Sequence, residues 1–220
     1  MEVTRREFLT CAAATAAVLA VPGQRERASL GECAVLDLGE HCALRESLAG
    51  YRAALAGTRA IAGSVLIVPA ALVIGGAAAR RIVRHLEDEG TLILESGATF
   101  ARAASPAFRR HRDALRQLLA LDVEPPRPLA RNGPRVPYVE FRWPTPTLVR
   151  DFSAVVPVAA HDGKWIARVD DMTVALARRQ GRGMLIFLGS PIGPALWSGD
   201  AAARRWLHQV LRLPPTTSLA

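Results

Sequence analysis

The sequence predicts one α/β domain in three layers, with a mostly parallel sheet, helices on both faces and a small antiparallel edge portion. Short and almost continuously apolar runs recur along the chain, as in strands that are buried on both faces. Segments with a helical spacing of apolar residues separate these runs, which indicates parallel strands joined by crossover helices. With 220 residues and 50% hydrophobic content, the chain can enclose one sizeable core.

Four apolar runs are the predicted parallel strands. They are Cys33–Leu38, Ser64–Val68, Thr91–Leu94 and Gly183–Leu188. Pro69 closes the second run, since proline cannot donate to a central ladder. Together with the helices between them, these strands predict a flavodoxin-like arrangement.

Four segments carry apolar residues at helical spacing. They are Leu44–Leu55, Ala77–Glu89, Pro106–Leu121 and Asp200–Leu211. Gly90 is a suitable stop for the second helix, and Pro106 suits the first turn of the third.

The middle of the chain differs in composition. Seven prolines fall within residues 124–147, at Pro125, Pro126, Pro128, Pro134, Pro137, Pro144 and Pro146. This density predicts a long irregular excursion without regular elements. The strand-like runs after it, at Ala154–Val158, Trp165–Val169 and Thr173–Leu176, are predicted to form a meander near one sheet edge.

The first residues predict an export signal. Thr4-Arg5-Arg6-Glu7-Phe8-Leu9 has the twin-arginine pattern, and an uncharged apolar stretch of about 13 residues follows it. That stretch is too short to span a bilayer. We expect a signal peptide at 1–20, a linker at 21–31, the domain at 32–213 and a tail at 214–220. The mature domain is then periplasmic or extracellular, with no stable membrane span.

The net charge of +8 comes almost entirely from arginine, because Lys164 is the only lysine. Such a charge favours an anionic partner, although a general preference for arginine over lysine explains it equally well. The arginines are scattered and lack interleaved aromatic residues, so we do not expect nucleic-acid binding.

Polar residues follow the predicted strands where a parallel sheet places its ligand sites, at the carboxyl edge. The predicted catalytic candidates are Glu95, Ser96, His41 and Cys42, and the predicted ligand-binding residues are Arg45, Glu46, Gly97, Ser190 and Gly193. We expect these residues to meet in one crevice at that edge.

Two interpretations of Glu95-Ser96-Gly97 stay open: a nucleophile or acid/base on a tight turn, or a turn that caps a helix. A nucleophile elbow would need glycine at Leu94, so that motif is not met.

The pair His41-Cys42 is either a base with an activated thiol or a surface histidine beside a half-buried cysteine. Cys33 begins the strand that Cys42 follows, so we do not expect a disulfide between them. Asp170-Asp171 has no clustered His or Glu, which favours a turn. We expect no metal and no cofactor.

The order of elements resembles the class I glutamine amidotransferase-like superfamily, in particular its trehalose-utilisation-type and β-galactosidase trimerisation-like branches. The segments that carry the resemblance are 64–69, 89–97 and 181–189. Working glutaminases of this superfamily have a cysteine where Glu95 or Ser96 stands and a late histidine, which Ser190–Pro194 lacks. The resemblance therefore implies the fold without glutamine hydrolysis.

Three functions remain open from the sequence. The first is a binding domain for a small polar ligand, such as a carbohydrate, or for a partner protein. The second is a hydrolase-type enzyme that uses Glu95 and Ser96 with His41 and Cys42. The third is a component of a homo-oligomer.

Overall fold

A computed structural model describes residues 32–58, 63–103, 105–129, 138–151, 154–159 and 163–213. The predicted signal peptide, linker and tail lie outside these residues and stay predictions. The strands are β1 (Cys33–Val35), β2 (Val65–Ala71), β3 (Thr91–Ser96), β4 (Arg127–Pro128), β5 (Tyr138–Phe141), β6 (Thr147–Arg150), β7 (Ala154–Val155), β8 (Lys164–Val169), β9 (Met172–Gln180) and β10 (Gly183–Leu188). The α-helices are α1 (Arg45–Leu55), α2 (Gly76–Glu87), α3 (Pro106–Leu119), α4 (Gly193–Trp197) and α5 (Ala201–Val210).

The described residues form an eight-stranded sheet in the order β1-β2-β3-β10-β9-β8-β5-β6. The first four strands are parallel neighbours, and the remaining four extend the sheet by antiparallel pairing. The α/β fold class is confirmed, and its antiparallel portion comprises β9, β8, β5 and β6. We call these four strands the antiparallel wing.

Helices cover both faces of the parallel strands. On one face, Tyr51 of α1 and Trp206 of α5 pack on Ile67 and Ile93. On the other face, α2 and α3 pack on the alternate residues of the same strands, such as Leu92. This two-sided burial explains why the strands are continuously apolar in sequence.

Local signals set most element boundaries. The Ser105 hydroxyl accepts a hydrogen bond from Phe108 N, and Pro106 occupies the first turn of α3. Asp200 accepts from the N–H groups of Ala202 and Ala203 and so begins α5. Both are N-caps of the kind that satisfy free amides at a helix start.

The proline-rich segment contains a strand that the sequence analysis missed. Tyr138–Phe141 forms β5, which pairs with β6 on one side and β8 on the other. The prediction of a wholly irregular excursion is therefore wrong. The prolines flank these four residues and leave their N–H groups free for the ladders.

The predicted meander is also divided between two sheets. β8 and β9 belong to the main sheet, whereas β7 pairs with β4 in a separate two-stranded sheet. Asp170 and Asp171 form the turn between β8 and β9, as predicted. In the described ranges, no helix has the length and apolar character that a membrane crossing requires.

Candidate functional site

The carboxyl ends of β2, β3 and β10 meet at a single buried carboxylate. Glu95, near the end of β3, is 0% exposed. Its Oε1 accepts hydrogen bonds from Gly193 N at 2.8 Å and Tyr51 OH at 3.3 Å. Its Oε2 accepts from Ala70 N at 2.9 Å and from the Ser47 hydroxyl. One side chain thus joins β2, β3, α1 and the start of α4.

Burial raises the pKa of Glu95 above its ordinary value, because desolvation penalises the charged form. The hydrogen bonds from Ser47 and from backbone N–H groups oppose this shift only in part. Burial and the nearby Glu95 also raise the pKa of Tyr51 well above its usual range. Tyr51 therefore stays protonated and donates a hydrogen bond to Glu95.

Glycines allow the backbone to close over this carboxylate. A Cβ at Gly193 would overlap Ser47, and a Cβ at Gly50 would overlap the Gly193 carbonyl. A Cβ at Gly97 would overlap the Ala70 carbonyl. Helices α1 and α4 therefore lie directly against each other and against the strand ends. The ends of β2, β3 and β10 meet here beneath helical packing, whereas the sequence analysis expected the strand ends to meet in one crevice.

Ser96 pairs with His111 of α3, which was not among the candidate residues of the sequence analysis. Its Oγ lies 3.0 Å from Nε2 of His111, and both residues are fully buried. Burial lowers the pKa of His111 from 6.5 to about 4, against an opposing effect of the Leu72 backbone. Ser96 also accepts from Ala98 N at 3.2 Å and caps the short 3-10 helix Gly97–Phe100. The capping interpretation of this turn is thus confirmed.

The spacing of residues on α3 indicates in the sequence that His111 is buried. Phe108, His111 and Leu115 follow one another at helical spacing, and all three are buried on the same face of α3. Within the described residues, His111 Nδ1 makes no hydrogen bond that meets ordinary geometry. A neutral imidazole beside a hydroxyl is chemically a base with a potential nucleophile. Neither group is exposed to a substrate in this structure.

His41 and Cys42 do not join this cluster by hydrogen bonds among the described residues. Cys42 is buried, and its thiol donates to the carbonyls of Leu44 at 3.2 Å and Pro69 at 3.6 Å. Burial raises the pKa of Cys42, so the thiol stays protonated at neutral pH. Burial likewise raises the pKa of Cys33 to about 11, and both cysteines are free.

The predicted ligand-binding residues fall into separate environments. Gly97 and Gly193 belong to the closed packing at Glu95. The Ser190 hydroxyl instead donates to the buried carboxylate of Asp151, a residue that the sequence analysis did not single out.

The remaining two predicted ligand-binding residues lie on the surface. Arg45 is exposed and forms an ion pair with Asp37 at 3.4 Å, and Glu46 is exposed beside it. The roles assigned to these residues stay predictions. In the part of the chain that the structure describes, no group of three or more His, Cys, Asp or Glu residues is placed to hold a metal.

No protein-family model and no curated protein matches the sequence. Solved structures of glycosidases are similar in fold. The β-galactosidase of Bacillus circulans sp. alkalophilus has a TM-score of 0.52 at 16% identity, over 84% of this chain and 32% of that one. The exo-β-1,4-mannosidase Op5Man5 of Opitutaceae bacterium strain TAV5 has a TM-score of 0.53 at 12% identity, over 84% and 36%. The β-galactosidase of Rahnella sp. R3 has a TM-score of 0.53 at 13% identity, over 82% and 32%.

The chain spans about a third of the length of these enzymes. At such identities the likeness shows the fold alone. It supports the β-galactosidase-like part of the predicted resemblance, while the amidotransferase superfamily and the export signal stay predictions.

Proposed function

We propose that this chain is an exported, non-catalytic domain that binds a glycan through its surface. The observation that carries the proposal is the closure of the strand ends around Glu95. A catalytic carboxylate must touch its substrate, whereas both oxygens of Glu95 already accept hydrogen bonds from the protein itself. Glu95 acts in this account as an internal clamp.

The fold neighbours support the carbohydrate association. Solved proteins that share this fold over most of the chain include two β-galactosidases and an exo-β-mannosidase. In each of them the shared region is about a third of the chain, so the likeness concerns a part of those enzymes and does not carry their activity.

The test combines turnover with binding. Purified protein is assayed with chromogenic β-galactosides, β-mannosides and esters, and its melting temperature is measured with a panel of oligosaccharides and polysaccharides. We expect no turnover above that of the Ser96→Ala variant, and a rise in melting temperature with at least one glycan. Turnover that Ser96→Ala abolishes in a folded protein would contradict the proposal, as would a panel in which no glycan binds.

A hydrolase is the second candidate, and the pairing of Ser96 with His111 favours it. Its nucleophile would be the Ser96 hydroxyl and its base the neutral His111 imidazole, after an opening of the 3-10 helix Gly97–Phe100. A fluorophosphonate probe would then label Ser96, and His111→Gln would prevent labelling. Absence of label on the native protein under these conditions favours the non-catalytic function.

Export rests on the twin-arginine pattern at Arg5 and Arg6. We expect the wild-type chain to reach the periplasm and the Arg5→Lys/Arg6→Lys variant to stay inside the cell, as measured by fractionation. Equal export of both variants would contradict this part of the proposal.

A further inference from the structure

Three strands of the antiparallel wing, β8, β5 and β6, have one face that no helix covers among the described residues. Val139, Phe141 and Val149 point to the opposite face, where they join the core beneath α5. Tyr138 of β5 and Leu148 of β6 point outward and are 46% and 58% exposed. An exposed aromatic residue and an exposed leucine on neighbouring strands mark a surface suited to contact with another molecule.

Helix α3 ends at β9, the first strand of the antiparallel wing. The guanidinium of Arg178, on β9, donates to the Leu119 carbonyl in the last turn of α3. The strands beyond β9, namely β8, β5 and β6, carry the open surface. We call it the wing face and define it by Tyr138, Arg142, Leu148, Arg150, Trp165 and Arg168.

Trp165 holds two guanidinium groups in place at the centre of the wing face. The guanidinium carbon of Arg142 lies 5.1 Å from the ring centroid, and that of Arg168 lies 5.5 Å from it. Arg142 Nε also donates to Glu140 Oε1 at 2.9 Å. Arg168 donates to the Asp171 carbonyl at 2.8 Å. These contacts orient both cations before any ligand arrives, which lowers the entropic cost of binding.

The charge of the wing face points to an anionic partner. Arg142, Arg150 and Arg168 face outward from its strands together with one acidic residue, Glu140. Asp170 and Asp171 lie in the turn beyond the end of β8, at the rim. Guanidinium groups bind carboxylate and sulfate groups in a forked geometry, so regularly spaced acidic groups suit this arrangement.

Two other partners fit less well. A second copy of the chain would bring the arginines of one wing face against those of the other, and the whole chain already carries a net charge of +8. Single-stranded nucleic acid needs open aromatic faces for its bases, but arginine side chains occupy the ring of Trp165.

We propose that the wing face binds an acidic polysaccharide, with its carboxylate or sulfate groups on Arg142 and Arg168 and its sugar rings on Tyr138 and Leu148. The apolar faces of sugar rings match Tyr138 and Leu148, while the two guanidiniums select for charge. This inference rests on the proposed carbohydrate-binding function and names the surface and the ligand class.

The experiment measures binding of the full chain to polygalacturonate by titration calorimetry at physiological salt. Methyl-esterified polygalacturonate, the same polymer without its charges, and neutral galactan are the comparison ligands. The test variant is Arg142→Gln/Arg168→Gln. The matched control is Arg109→Gln/Arg110→Gln, which removes the same charge from the exposed side of α3.

We expect the wild-type chain to bind polygalacturonate. The test variant should lower the affinity for this polymer at least about tenfold, and the control variant should change it by less than about twofold. The proposal would be overturned if both variants lowered the affinity for polygalacturonate equally, or if neither variant lowered it. If galactan or the methyl ester binds and the arginine substitutions do not change that binding, this inference is overturned while the proposed function stands. Failure of every glycan overturns both. A dimer that only Arg142→Gln/Arg168→Gln disrupts, seen by sedimentation without glycan, would assign the wing face to a second copy.

Discussion

The backbone N–H of Gly193 donates a hydrogen bond to Oε1 of Glu95 across 2.8 Å, although 98 positions separate the two residues. This bond ties the start of α4 to the end of β3 at the edge where parallel sheets usually hold their ligands. In this protein the N–H at the start of α4 donates to a side chain of the same chain and is therefore not free to donate to a ligand.

Replacing Glu95 with glutamine should lower the free energy of unfolding by about 2–4 kcal/mol. The backbone N–H groups of Ala70 and Gly193 donate to different oxygens of Glu95. Glutamine replaces one of these oxygens with an NH2 group, so one backbone N–H would point at a donor and lose its acceptor. Urea denaturation measures the loss. Glu46→Gln, on the exposed side of α1, is the control and should cost less than about 1 kcal/mol. A loss for Glu95→Gln no larger than that of the control would contradict the clamp.

The raised pKa of Glu95 gives a pH dependence with a defined sign. Between the ordinary value of 4.5 and the higher pKa of the folded protein, the unfolded chain has lost this proton while the folded protein retains it. The stability that the group contributes is therefore complete below pH 4.5 and declines as the pH rises through the higher folded pKa. The difference in unfolding free energy between wild type and Glu95→Gln should shrink across this window. A difference that grows with pH would indicate a lowered pKa.

Gly193→Ala should destabilise the protein by about 2–4 kcal/mol, because the added Cβ overlaps Ser47 and forces α1 away from α4. Gly75 is the matched control, since a Cβ there meets nothing within 4 Å. Gly75→Ala should change stability by less than about 1 kcal/mol. Thermal unfolding of both variants gives the comparison, and equal effects would show that α4 does not lie tightly on α1.

His111 predicts the opposite pH dependence. Its pKa falls from 6.5 in the unfolded chain to about 4 in the fold, so the unfolded chain binds more protons between these values. Stability is lost as the pH drops from 6.5 toward 4, by roughly 3 kcal/mol in total. The slope should disappear in His111→Gln and persist in Ser96→Ala, whose imidazole remains buried. An NMR titration of the His111 ring with a midpoint near 6.5 would contradict this prediction.

Cys42 should react slowly with thiol reagents. Cys11 lies in the predicted signal peptide, and Cys11→Ser leaves Cys33 and Cys42 as the two thiols of the chain. In that variant we expect both thiols to react with a disulfide reagent at pH 8 at least about tenfold more slowly than in urea. Burial raises the pKa of both Cys33 and Cys42, so little thiolate is present. Rapid reaction of one thiol, located at Cys42 by mass spectrometry, would restore the interpretation of an activated nucleophile.

The parallel core could be predicted because its signals are local. The apolar runs at Thr91–Leu94 and Gly183–Leu188 became β3 and β10, and Pro106 begins α3 as expected. Each of these features depends on neighbours within a few residues. The strand β5 escaped prediction because it is only four residues long and lies between prolines on both sides, although these prolines leave residues 138–141 free to pair.

The site could be predicted only in part. The sequence indicated that the ends of β1, β2, β3 and β10 meet in one crevice, since parallel strands share a carboxyl edge. It did not indicate that Ser47 and Tyr51 would fill the space, because they lie 48 and 44 positions from Glu95. Whether a polar strand end is open or closed depends on such long-range packing.

Native-state hydrogen exchange of the Gly193 and Ala70 amides tests most directly whether the strand ends are closed around Glu95. Both N–H groups donate to this buried carboxylate, so we expect them to exchange only on global unfolding, with the full unfolding free energy. The Gly39 amide, which donates to a carboxylate of Asp37 on the exposed surface, is the internal reference and should exchange rapidly. If the Gly193 and Ala70 amides instead exchange as fast as Gly39, the edge opens to solvent and the account of a closed, non-catalytic domain is wrong.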